Sequence, residues 1–146
     1  MAQPFLHSDL IMERVETPSA LVERTRPELV ICRYKHGVKV DAAAVRENVA
    51  ARMRFPGKEP YAVVGIFPED VDFDMSLLEQ DHYTDSALKA ATRILAIVAE
   101  GALFEPIANL YFAYHPTQFL SKVFPTEAEA LVWVEQQIEV VELMED

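Results

Sequence analysis

The chain has 146 residues, 51% of them apolar, and a net charge of −11 at neutral pH, enough for one domain that buries roughly 68–70% of its extended-chain surface without disulfides or a metal. A pI near 4.7 and the lack of any Lys/Arg cluster disfavour phosphate backbones and anionic lipid, so nucleic acid is not an expected partner. No apolar run approaches the length of a membrane span, no basic n-region precedes an apolar stretch, and the lone Cys32 reads as a reduced strand thiol, which together place the chain in the cytoplasm, outside the membrane.

Residues 1–9 read as a flexible leader, 10–140 as the domain and 141–146 as an acidic tail. Leu10–Val15 suggests an edge strand. Ser19–Thr25 and Leu29–Lys35, rich in β-branched and apolar residues, flank Arg26-Pro27-Glu28 and read as a hairpin. Asp41 is placed to cap a helix over Ala42–Met53, with Val45, Val49 and Met53 inward and Arg46, Glu47 and Arg52 outward. Tyr61–Phe67 (YAVVGIF) is a continuous apolar run and fits a strand covered on both faces. Pro68–Asp74 is an acidic loop. Ser76–Ala91 reads as helical, with a break near Tyr83-Thr84. Ile94–Ala99 is a second buried strand, and Gly101 turns the chain into an apolar helix over Ala102–Tyr114 that ends at His115-Pro116. Phe119–Phe124 is the last strand. Thr126 and Glu129 form a capping box for a final helix that turns Ala130, Trp133, Val134 and Ile138 to the sheet.

Buried strands alternating with helices imply right-handed parallel crossovers. The expected fold is therefore a single-domain α/β fold with a mixed, mostly parallel open sheet, an N-terminal hairpin and helices on its faces.

Chemistry-bearing patterns are sparse. There is no G-x-S-x-G elbow, P-loop or G-x-G-x-x-G, and four glycines in all leave little material for phosphate-cradling loops. No enzyme and no cofactor is expected. Glu79-x-x-His82 has the spacing of a carboxylate–histidine metal pair but no second copy to complete it, and Asp81 and Asp85 extend a solvated acidic face. Asp70, Asp72 and Asp74 make a loop acidic enough for a partner, at the carboxyl end of a strand where open sheets bind ligands. They lack the glycine and terminal Glu of a calcium loop. Ser76 with Glu79 reads as an S-x-x-E capping box.

The sharpest signal is the helix Ala102–Tyr114. Phe104, Ile107, Tyr111 and Tyr114 form one stripe, and Leu103, Leu110 and Phe112 widen the apolar surface beyond what one sheet face covers. Burial under the C-terminal segment, a homodimer interface and the wall of a pocket for an apolar ligand all remain open.

The element order and several local patterns resemble the STAS/SpoIIAA-like proteins, in particular a small bacterial branch of unknown function described as STAS/SEC14-like. The match covers roughly Leu10 to Ile138. Its marks are the hairpin, the helix after Val38-Lys39-Val40-Asp41, the strand ILAIVA, and the F-x-[TD]-x-x-x-A-x-x-W pattern carried by Phe124, Thr126, Ala130 and Trp133. The resemblance implies a non-enzymatic regulatory or protein-interaction module, often a homodimer. Its SEC14-like side implies, alternatively, a carrier or sensor of a small apolar ligand. It also points to Ser76 as a phosphorylated regulatory serine, although Asp74-Met75-Ser76-Leu77-Leu78 departs from the D-S-S-G-L run of anti-sigma-factor antagonists.

Overall fold

Two strands, Tyr61–Phe67 (β5) and Thr92–Ala99 (β7), are apolar on both faces and buried along nearly their whole length, as a strand enclosed by helices on both sides must be. They pair in parallel and form the centre of a six-stranded sheet, in a computed structural model that describes residues 13–57, 59–117 and 119–145. The expected leader and residues 10–12 of the first expected strand lie outside that range. Outward from β5 lie β3 (Leu29–Tyr34), β2 (Ala20–Arg26) and β1 (Glu13–Glu16), and beyond β7 lies β8 (Leu120–Phe124). The pairings β3–β5, β5–β7 and β7–β8 are parallel, and the hairpin β2–β3 and edge pair β1–β2 are antiparallel. The mixed, mostly parallel α/β sheet expected from the sequence is therefore present.

Each face has its own core. On one face lie Val30, Cys32, Tyr34, Val63, Phe67, Leu95 and Ile97, beneath the helices Ala42–Met53 (α1) and Phe104–Tyr114 (α3). The other face buries Ile31, Val64, Ile66, Ala96 and Val98 against Ala130, Val134 and Ile138 of Glu127–Glu145 (α4). Thr126 caps α4: its hydroxyl oxygen accepts the Glu129 N–H at 3.2 Å and its proton goes to the Glu129 carboxylate at 3.1 Å. Arg33 on β3 holds α4 by two guanidinium–carboxylate bonds of 2.8 Å to Glu127, whose carboxyl this hydrogen bonding keeps below the usual carboxylate range.

Four local expectations give way to the structure. The run Ser76–Ala91 is not a broken helix but a 3-10 turn, Met75–Glu79, and a short helix α2, Ser86–Ala91. Three aspartates fragment it: Asp74, Asp81 and Asp85 accept the N–H groups of Ser76, Tyr83 and Leu88 at 2.9, 2.9 and 3.0 Å. Such side-chain acceptors compete with helical bonding. The capping role expected of Ser76 falls to Asp74 for the same reason. The acidic loop contains a strand, β6 (Asp72–Phe73), which pairs in parallel with β4 (Lys39–Val40). Finally, Arg52 points in: α1 buries Ala44, Asn48, Ala51 and Arg52, leaving Val45 and Val49 half-buried beside α3's side of the sheet.

Candidate functional site

Parallel register sets Cys32 of β3 beside Gly65 of β5, and Gly65 beside Ile97 of β7. One row across the middle of the sheet thus steps down from a small side chain to none. Above it, α1 packs toward β2, while α3 packs on β7, β8 and the 3-10 turn. On this face the main packing of both helices is thus on strands other than β5. The result is a cavity of about 100 Å³. Gly65, Val63, Leu95 and Ile97 form its floor, Val45, Asn48, Val49 and Arg52 one wall, and Phe104, Ile107, Ala108, Tyr111 and Phe112 the other. Leu77, Leu78, His82 and Tyr83 close one end.

This end is pinned by hydrogen bonds to backbone carbonyls. The His82 ring Nε2 lies 3.2 Å from the Leu77 oxygen and the His115 Nε2 2.8 Å from the Leu78 oxygen. His82 also stacks on Tyr111, whose hydroxyl accepts the His82 backbone N–H at 2.8 Å. Aromatic rings extend the wall: Tyr34 stacks on Phe67 at 4.3 Å between centroids, Phe67 meets Phe104 at 4.5 Å, and Phe73 meets Phe104 edge-on at 5.2 Å. Such contacts fix ring orientations and so the shape of the void.

The cavity is neutral except at one point. Burial pushes the Cys32 thiol up to about 12, against the opposing field of Arg52. The same desolvation raises the Tyr34, Tyr83 and Tyr111 phenols and lowers the His82 imidazole. Desolvation of a charged form has this sign in each case. Arg52, 3% exposed, brings to this lining a guanidinium, a group that keeps its charge in proteins.

The stripe expected on the apolar helix is divided by this geometry. Phe104 and Tyr111 are buried against the cavity, Ile107 is half-buried at its rim, and Tyr114 is 64% exposed. Leu103 and Leu110 share the outer face with Tyr114 and are 87% and 38% exposed. One helix therefore roofs the void and shows a second apolar face outward.

The other candidates lie apart from the cavity or serve local structure. Asp70 sits 3.1 Å from the His36 ring, Asp72 is exposed on β6, and Asp74 caps the 3-10 turn with Lys39 at 3.7 Å. Ser76 is half-buried on the turn that closes the cavity. Glu79 is exposed in that turn while His82 lies beyond it, so no helix carries them as a pair. Among the described residues no group of three His, Cys, Asp or Glu converges, and no helix is long and apolar enough to cross a membrane. Reading the sequence missed Arg52, Gly65, Asn48 and Cys32 as cavity residues. The one local signal was a glycine inside a strand, which marks a close approach or a gap.

Comparison with known proteins reinforces the fold. A crystal structure of an uncharacterised protein of the DUF3478 family from Shewanella loihica PV-4, described as having a SpoIIAA-like fold, superposes with a TM-score of 0.50. It is 14% identical, over 80% of this chain and 92% of that one. The SpoIIAA-like resemblance read from the sequence is thus matched in three dimensions. No curated protein matches the sequence. Residues 24–138 match a family described as a domain of unknown function, DUF7793.

Proposed function

The chain belongs to the DUF7793 family, and from that premise we propose that it is a non-catalytic sensor or carrier holding a small apolar molecule beneath α3. The observation that carries the reading is the cavity, walled almost wholly by aliphatic and aromatic side chains in the interior of the sheet–helix layer. An engineered apolar cavity of about 150 Å³ binds benzene, and about 100 Å³ is of the same order, the scale of one small ring or a short branched chain. The polar groups on the walls support a binding role over a reactive one. The Cys32 thiol is held protonated, and the Tyr111 hydroxyl and His82 ring are engaged with the backbone. That leaves no activated nucleophile beside a free base.

A titration of the protein with toluene, followed by NMR, tests this reading. Shifts are expected at Leu95, Ile97, Phe104 and Ala108, together with a rise in melting temperature. Gly65→Ala sharpens the test. A Cβ at Gly65 would meet Ile97 Cδ1 at 3.4 Å and Phe67 Cε2 at 3.5 Å, ordinary contact. The variant is expected to gain about 0.4–1 kcal/mol from lower unfolded-state entropy, while its filled floor weakens toluene binding several-fold. Resonances that stay unmoved in the natural chain would remove the reading.

A second reading, action by protein contact as a homodimer, is favoured by the outer face of the same helix. Leu103, Leu110 and Tyr114 leave large apolar side chains in water, and such patches mark contact surfaces. Sedimentation is expected to show a dimer that Tyr114→Glu dissociates. A natural chain that stays monomeric at all concentrations would exclude it.

A further inference from the structure

Arg52 stands out among the cavity's walls because its charge has no counter-ion among the described residues. Its guanidinium donates to the Tyr61 hydroxyl and to the Thr92 hydroxyl, each at 3.1 Å, and lies 5.6 Å from the Tyr61 ring centroid. These partners are neutral. Among the described residues no carboxylate pairs with it. A guanidinium has five N–H groups in a planar fork, and two hydrogen bonds occupy only part of that capacity. Its partners are also committed elsewhere: the Thr92 hydroxyl donates to the Leu88 carbonyl at 2.8 Å. Burying a charge without a counter-charge is costly. A polar residue of similar length would hold the same two hydroxyls without that cost.

Anchoring α1 to the first residues of β5 and β7 therefore accounts for the two bonds but not for the charge. Arg52 is itself among the residues that line the cavity, beside Asn48 and Val49 of the same helix. We propose that the cavity takes a small monocarboxylate, its carboxylate pairing with Arg52 and its branched or aromatic body lying over Gly65 and Leu95. A carboxylate matches the guanidinium fork with two parallel bonds. A dianion or a sugar phosphate would find one cation and otherwise apolar walls. The proposal rests on the cavity reading above and adds the chemical class of its ligand.

The test compares isovalerate with 3-methylbutan-1-ol, of nearly the same shape without the charge, by calorimetry on the full chain at pH 7. Isovalerate is expected to bind at least tenfold more tightly than the alcohol. Arg52→Met should abolish that preference by weakening the acid at least tenfold more than the alcohol. If the methionine variant does not fold, Arg52→Lys, which keeps the charge but loses the two-pronged fork, should keep the order of preference with the acid bound several-fold more weakly, and acid binding that is undiminished in it would overturn the assignment. Equal binding of acid and alcohol to the natural chain would overturn the anion assignment and leave the cavity reading standing. Binding of neither would overturn both. An acid preference that survives Arg52→Met would show that Arg52 is not the anchor.

Discussion

Leu95→Ala is expected to cost about 3 kcal/mol, within the 2–5 kcal/mol found for buried leucine truncations, and to lower the melting temperature by roughly 10 °C. Leu95 is 1% exposed at the centre of the sheet and forms part of the cavity floor. Rigid neighbours on β5 and β8 prevent the void from closing, so the lost methyl groups add to space already there. The same variant should therefore accept a larger apolar probe than the natural chain does. Val64→Ala provides the control. Val64 is fully buried in the core on the opposite face, so its truncation should lower stability without changing which probes bind. Thermal unfolding measured with and without toluene or a bulkier alkylbenzene checks both halves. Equal gains in probe tolerance from the two truncations would contradict a single cavity under α3.

Asn48→Ala is the second large effect. Asn48 lies 3% exposed on α1 and joins that helix to the turn between β1 and β2. Its amide oxygen accepts the Thr17 hydroxyl at 2.6 Å and its amide nitrogen donates to the Ser19 hydroxyl at 2.9 Å. Alanine leaves both hydroxyls buried without that partner, at about 1–3 kcal/mol for each group left unsatisfied. Thr17 retains the Ala20 carbonyl at 3.2 Å, so a total of roughly 2 kcal/mol is expected. Because Asn48 also lines the cavity wall, the loss should loosen α1 over β2 and weaken probe binding along with stability. Denaturant unfolding gives the first quantity and the toluene titration the second. A change below about 0.5 kcal/mol would show that this network contributes little beyond its geometry.

The strands were legible because burial on both faces writes an unbroken apolar run, as in YAVVGIF and ILAIVA. The last helix was legible because Thr126 and Glu129 announce its start and Ala130, Val134 and Ile138 keep its period. What escaped was tertiary in origin. Arg52 looks solvent-directed by polarity, but the last turn of α1 lies over the first residues of β5 and β7, where two hydroxyls await it. The cavity depends on register, which aligns Cys32 with Gly65 and Gly65 with Ile97, and no local pattern carries that alignment. The aspartates at 74, 81 and 85 read as loop and surface charge, and their role in accepting backbone N–H groups and fragmenting the segment shows only in three dimensions. On the apolar helix, periodicity found the stripe but could not say where the sheet's edge would cut it between Tyr111 and Tyr114.

Access to the space over Gly65 underlies both the proposed ligand and its anchor on Arg52. A crystal of the protein equilibrated with xenon tests it most directly, since xenon enters dry apolar cavities. Anomalous density is expected between Gly65, Leu95, Ala108 and Tyr111, with α1 and α3 in place. A cavity that stays empty under pressure, or side chains that close over Gly65, would contradict it.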